Sequence, residues 1–306
     1  MGTVHQLILR DGIEVARQQA VTKHDRSVVE AAYQVLGDDA DRVGFTYSGF
    51  ALTSLPHKPV DGLLWRRESA GLTLMLEAGH DRAGSAVGLP YGSYARFILL
   101  FLQSQAVKSQ SRDIELGRSM RQWLETMGLS IGGTTYRLVN EQARRISWCR
   151  LTFYADRAGR EIMRHGGFVD GAISLTADEG PQGALWQERV LLNEQFYQAL
   201  VSHPVPVSET ALQAIGARSL VLDVYVWLAY RLHALKGDVS VSWSALHAQF
   251  GGGFTRLRRF RSHFLESLQL ALAAYPDARV SASETGLVLH PSKPPVPPRL
   301  IAAKRP

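Results

Sequence analysis

The chain has 306 residues, 45% of them hydrophobic and 20% charged, with a formal net charge of +6 and a single cysteine. That length predicts two domains rather than one core, and a lone Cys149 excludes an intramolecular disulfide or a cysteine zinc site. The most apolar runs, FILLFLQSQAV and SLVLDVYVWLAY, are 11 and 12 residues long, so they read as buried helices rather than membrane spans; with no secretory h-region at the start, a reducing cytoplasm is the expected compartment.

The first 60 residues are weakly patterned. HDRSVVEAAYQVLGDD places Val28, Val29, Ala32 and Val35 at helical spacing and predicts a helix ending at Gly37. GLLWRRESAGLTLMLEAG predicts two strands around a Ser-Ala-Gly turn, because Leu72, Leu74 and Leu76 alternate. Pro90 and Ser93 open a buried helix running to Val107, and SRDIELG follows as a short strand. RSMRQWLETMG is a helix with Met120, Trp123, Leu124 and Met127 on one side and Gly128 at its end. Gly132 and Gly133 then lead into a longer helix with Thr134 as an N-cap candidate. WCRLTFYADRAGREIMRHGGFVDGAISLTA reads as three strands separated by glycine turns, and TADEGPQGALW as a seam between domains. The second half repeats the order. A buried helix starts near Ser219, GDVSVSW is a strand, SALHAQFG a short helix, GGFTRLRRFRSHFLESLQLALAAYP a longer one, and ARVSASETGLVLHP a hairpin turning near Thr285–Gly286.

The glycine pairs 132–133 and 252–253 sit 120 residues apart. Buried helix, strand, short helix, glycine-led basic helix and hairpin therefore occur twice, as a repeat of pattern with little residue identity. That order is a winged helix-turn-helix, in which the second helix can enter a major groove. The expected fold is α+β, with two tandem winged-helix domains over residues 80–178 and 185–291. An N-terminal α/β extension, residues 1–79, is expected to pack on the first. The Pro-rich basic tail, residues 292–306, is expected to be extended or disordered.

Charge follows the same plan. Residues 1–60 are balanced, with six Lys and Arg against seven Asp and Glu, whereas residues 96–150 carry nine against four. Residues 251–265 hold four arginines and no acid, and Lys293, Arg299, Lys304 and Arg305 mark the tail. Clusters of this kind suit a polyanion. Projecting 254–272 as a helix places Leu257, Phe260, Phe264, Leu268, Ala271 and Leu272 on one apolar stripe, so these residues are expected in the core. Thr255, Arg259, Ser262 and Glu266 lie opposite, flanked by Arg258 and His263, with Arg256 at the boundary. The candidate DNA contacts are thus Thr255, Arg256, Arg258, Arg259, Ser262 and His263, because Arg suits guanine edges and phosphates and the hydroxyls suit either. In the first copy Val139, Ala143 and Ile146 mark the core side, and the candidates facing away are Thr134, Arg137, Asn140 and Arg144. Each helix alone could be an ordinary solvated face; two of them, each glycine-led and each before a hairpin, favour DNA binding.

Other chemistry finds no support. GGGFTRL lacks the Lys of a phosphate-binding loop, and no GxGxxG follows a strand. The histidines form no HExxH pair, no GxSxG elbow occurs, and Cys149 sits in the alternating ISWCRLTF as a small buried hydrophobe. The one dense acidic cluster, Asp38, Asp39 and Asp41 in GDDADR, reads as a loop ending a helix. No catalytic residue, cofactor or metal is expected, and the chain is not expected to be an enzyme.

GFALTSLPHK, GLPYGSYARFILLFLQSQAVKSQSRDIELGRSMRQWLETMGLSIGG, EQARRISWCRLTF and ALWQERVLLNEQFYQAL resemble the plasmid-encoded RepA-type replication initiators of bacteria, over about Gly49 to Pro291. The resemblance implies a protein that binds repeats in double-stranded plasmid origin DNA, opens the adjacent duplex with the host initiator, and helps load the host replicative helicase. It further implies monomers on origin repeats and a homodimer in promoter repression, with no membrane partner. Two other readings stand beside it: a tandem winged-helix repressor or copy-number regulator with no initiating role, and a nicking or primase-like enzyme acting on DNA.

Overall fold

The computed structural model describes residues 2–38, 42–157, 160–171 and 189–297. Asp39 and Asp41, the seam TADEGPQGALW and the last nine residues of the tail lie outside them. The chain folds as two compact units, one of Phe45–Pro204 and one that joins Met1–Gly44 to Val205–Pro306.

Three helices open the chain: α1 (Thr3–Asp11), α2 (Ile13–Gln19) and α3 (Lys23–Leu36). α3 starts on a reciprocal capping box, in which the Thr22 hydroxyl accepts from the Asp25 amide at 3.0 Å and the Asp25 carboxylate accepts from the Thr22 amide at 2.8 Å. It ends at Gly37 as its pattern requires. Strand β1 (Val43–Tyr47), buried throughout, carries the chain from one unit into the other.

The unit of Phe45–Pro204 continues with α4 (Ser48–Leu52) and the hairpin β2 (Leu64–Ser69) and β3 (Leu72–Glu77), then α5 (Gly92–Ser109), β4 (Asp113–Glu115), α6 (Met120–Thr126) and α7 (Gly133–Trp148). β5 (Arg150–Arg157), β6 (Arg160–Gly167), β7 (Arg189–Leu191) and α8 (Glu194–Ser202) complete it. Its antiparallel sheet runs β2-β3-β5-β6. Leu74 faces Phe153 and Leu76 faces Leu151 across β3 and β5, and all four are buried, so the alternation in LTLMLE does mark the inner face. Phe153 joins Tyr47, Phe50, Phe168 and Phe196 in an aromatic cluster with ring centroids 5.1–6.3 Å apart. α5 is buried along most of its length, and its polar residues fasten β1: Ser104 Oγ accepts from the Phe45 amide at 2.8 Å and Gln103 Oε1 from the Tyr47 amide at 2.7 Å.

The chain then returns to the first unit through β8 (Pro204–Ser208), α9 (Glu209–Ile215) and α10 (Ser219–Arg231), followed by β9 (Val239–Ser242), α11 (Trp243–Phe250), α12 (Leu257–Ala273), β10 (Arg279–Ala282) and β11 (Gly286–His290). α10 is buried from Leu220 to Ala229. β9 pairs antiparallel with β11 and so turns the β10–β11 hairpin into a three-stranded sheet. The equivalent strand of the other unit, β4, pairs with β7 instead, so the two copies share element order but not strand pairing.

Two expectations are corrected here. Residues 1–79 do not form one extension on the first domain: α1 and α3 pack into the unit that holds α12, where the buried His5 Nε2 donates to the Ala273 carbonyl at 2.8 Å and His24 Nε2 bonds Gln269 Oε1 at 3.1 Å. The early part of the tail is held rather than loose. The Ser292 amide donates to the Leu232 carbonyl, Tyr275 donates its hydroxyl proton to the Lys293 carbonyl at 2.5 Å, and Val296 is buried. Prolines leave few backbone donors to satisfy, so such a segment can lie extended on an apolar surface.

Candidate nucleic-acid interface

The candidate residues of the second half sit on the α11–turn–α12 segment. Ser242 caps α11 by accepting from the Ala245 amide at 3.2 Å. The glycines after it have two separate jobs. A Cβ on Gly251 would strike the His247 ring, whereas Gly253 occupies φ +97°, a conformation that side chains disfavour. His247 fixes the turn: its Nε2 donates to the Phe254 carbonyl at 2.9 Å and its ring lies edge-on to Phe260 at 5.1 Å. From that turn α12 leaves with Phe260, Phe264, Leu268 and Ala271 buried, and the Phe264 ring sits 5.5 Å from Phe250 and 6.2 Å from Trp243.

The opposite face is polar and unengaged. Thr255, Arg256, Arg258, Arg259 and Ser262 are exposed, and among the described residues no side chain or carbonyl partners any of their side chains. The N-cap of α12 is Arg256, no side chain caps the helix, and its first turn holds no acid. Aligned peptide dipoles already make this end positive, so three arginines here disfavour the free helix end and favour an anion beside it. His263 is exposed too, its ring 5.4 Å from Phe254 and its Nδ1 3.9 Å from Glu266. Two placements in the core fail: Leu257 is 45% exposed, and Leu272 is only half-buried. The helix begins at Leu257, one turn before the aromatic packing that starts at Phe260.

The α6–turn–α7 segment repeats the plan with less charge to offer. Ser119 caps α6 from the Gln122 amide, while α7 starts from Gly132 without a side-chain cap. Thr134 is not the N-cap but an exposed residue of the first turn, and Arg137 is exposed with no partner among the described residues. Arg144, expected to face away unpaired, binds Asp81 at 2.9 Å, and that carboxylate also accepts from the Ala83 and Ser85 amides. Asn140, expected to point outward, is half-buried with Oδ1 shielded and unpartnered among the described residues. Of the four candidates on α7, only Thr134 and Arg137 present unengaged groups.

Sequence reasoning passed over several arginines that tie segments together. Arg145 donates to the Leu89 carbonyl at 3.0 Å, pairs with Glu141 and lies 5.0 Å over the Tyr91 ring. Arg96 is buried and donates to the carbonyls of Leu55, Pro56 and Gly92 at 2.8–3.2 Å. The LPYGSYAR and TSLPHK blocks are therefore joined by a buried guanidinium, a structural role rather than a chemical one. The fourth arginine of the 256–261 run, Arg261, is likewise engaged, and is half-buried against Trp243. Burial pushes the Cys149 thiol up to about 12, which removes it as a nucleophile at neutral pH. Among the described residues no group of three or more His, Cys, Asp and Glu could hold a metal ion, and no helix is long and apolar enough to cross a membrane.

The molecule is thus an α+β protein in which a capped short helix leads into an uncapped basic helix and a hairpin, twice over. Residues 89–244 match the family described as plasmid encoded RepA protein. That segment is more than half of the sequence, and the chain belongs to this family of RepA-type plasmid replication initiators. Among solved structures it is similar to domains 2 and 3 of RctB, at 13% identity and a TM-score of 0.51 over 82% of this chain and 99% of that one. A second structure of RctB domains 2–3 matches at 11% identity and a TM-score of 0.44, covering 78% of this chain and 93% of that one. The first of these likenesses concerns the fold. No curated protein matches the sequence. The family match ends just inside α11, so the α12 face stands on its own geometry.

Proposed function

We propose that the protein initiates plasmid replication by binding repeats in the origin through two winged helix-turn-helix segments, α6–α7 with the β5–β6 hairpin and α11–α12 with the β10–β11 hairpin. α12 would enter a major groove with Arg258, Arg259 and Ser262 toward base edges or phosphates, and Thr255 and Arg256 at its positive end toward the backbone. α7 would supply Thr134 and Arg137, with Asn140 and Arg144 reaching DNA only after rearrangement of their present surroundings. Opening of the adjacent duplex, helicase loading with host partners, and repression by a homodimer are the further steps of this reading, which places the protein in the cytoplasm. The observation that carries it is the row of unpaired arginines at an uncapped helix end, in a chain of the RepA family. A footprint on the cognate origin at moderate salt tests it. Protection confined to the repeats is the expected outcome. Absence of protection, or replication of an origin plasmid in cells lacking the protein, rejects the initiator role, and the second result leaves only repression.

A further inference from the structure

The run Arg256–Arg261 contains four arginines, and the structure separates one of them from the rest. Arg261 places its guanidinium 5.0 Å from the centroid of the Trp243 ring. Its Nη1 and Nη2 donate to the carbonyls of Glu284 and Ser283, each at 3.3 Å. Trp243 acts on the same turn: its indole N–H donates to the Ser283 carbonyl at 3.2 Å, and its amide donates to the Thr285 carbonyl at 3.1 Å. Two residues, Arg261 of α12 and Trp243 at the start of α11, thereby hold three consecutive carbonyls of the β10–β11 turn, the first two through their side chains and the third through the Trp243 backbone amide. The exposed side chains of that turn are of opposite kinds. Thr285 brings a hydroxyl that suits a phosphate, 3.2 Å from the Ser283 hydroxyl, which is itself bonded to the Gly286 amide and carbonyl, while Glu284 brings a carboxylate that repels one. The orientation of the turn decides which of them meets a polyanion.

We propose that Arg261 is a positioning residue that locks the β10–β11 turn to α12, so that the hairpin tip and the arginine face meet DNA as one preset surface, and that it is not itself a phosphate contact. This rests on the reading of α12 as a DNA-contacting helix. The planar fork is what the site uses. Two N–H groups of one guanidinium reach adjacent carbonyls while its face stacks on an indole, a geometry an ammonium does not reproduce.

Arg261→Lys therefore separates the two roles. In the free protein, both Arg261→Lys and Arg261→Ala are expected to speed hydrogen exchange at the Trp243, Ser283 and Gly286 amides, a readout that needs no DNA. On origin DNA both are expected to weaken specific binding by roughly tenfold, the equivalent of one charge-assisted hydrogen bond. The slope of log K against log salt should stay at the wild-type value, and the footprint should shorten where the hairpin lies. Restoration by Lys, together with a slope lowered by about one in the Ala variant, would identify Arg261 as a phosphate contact and overturn the proposal. Unchanged exchange in both variants also overturns it. Faster exchange in the variants, combined with a wild-type protein that ignores origin DNA, would uphold the lock and reject only the reading of α12.

Discussion

Replacing Arg256, Arg258 and Arg259 together by Gln tests the central assignment quantitatively. All three are exposed and pair with nothing among the described residues, so the substitution breaks no ion pair and should leave the fold intact. If each neutralises one phosphate, the slope of log K against log salt should become shallower by about 2.7, because each neutralised phosphate on duplex DNA contributes about 0.9. Between 50 and 200 mM salt the wild-type protein should then lose about 40-fold more affinity than the variant. Fluorescence anisotropy on an origin repeat, titrated at four or five salt concentrations, measures this directly. The matched change on α7, Arg137→Gln, should shift the slope by only about 0.9, since Arg137 is the one α7 candidate arginine without a partner. A triple variant with the wild-type slope would show that this face does not touch the backbone, and the orientation assigned to α12 would be wrong.

Three further outcomes follow from particular contacts. Leu268 lies on the buried face of α12, and its change to Ala should cost the protein about 2–5 kcal/mol of stability, read by urea denaturation. His5 is buried beside the Ala273 carbonyl, and burial lowers its pKa below 6.5. The unfolded chain then takes up a proton more readily than the folded one, so stability is full above pH 6.5 and falls as pH drops from there toward the depressed value; His5→Gln should flatten that part of a Tm-against-pH profile. Asp81→Asn removes the carboxylate that holds Arg144 but keeps an oxygen for the Ala83 and Ser85 amides, so it should barely change stability and should steepen the salt slope by up to about one.

Elements with a strong period were legible from the sequence, and those that depend on a distant partner were not. α3, the β2–β3 hairpin, α5 to α7 and α10 to α12 all appear about where apolar spacing and glycine breaks place them, although the Thr134 cap does not form, because each carries a local apolar pattern of its own. The 1–44 segment offered no clue to which unit it joins. His5 meets Ala273 across 268 residues and Arg218 meets Ser27 across 191, contacts that leave no mark on local pattern. The different pairing of β4 and β9 was hidden for the same reason: three or four residues of strand carry a period but not the identity of a neighbour.

The site divides along the same line. Periodicity predicts which side of a helix points away from the core, and the residues named on α12 do point away. It does not predict what each outward charge meets. Arg144 and Arg259 look alike in sequence, yet one is held by a carboxylate 63 residues earlier and the other by nothing among the described residues. Arg261, three residues from Arg258 and from the same run, is turned sideways by an indole and two carbonyls. An exposed arginine becomes a candidate for DNA only after its neighbours are known, because a guanidinium already paired must give up that partner to bind a phosphate. On that criterion the two glycine-led helices, equal in pattern, are unequal as sites: α12 carries three unengaged arginines and α7 one.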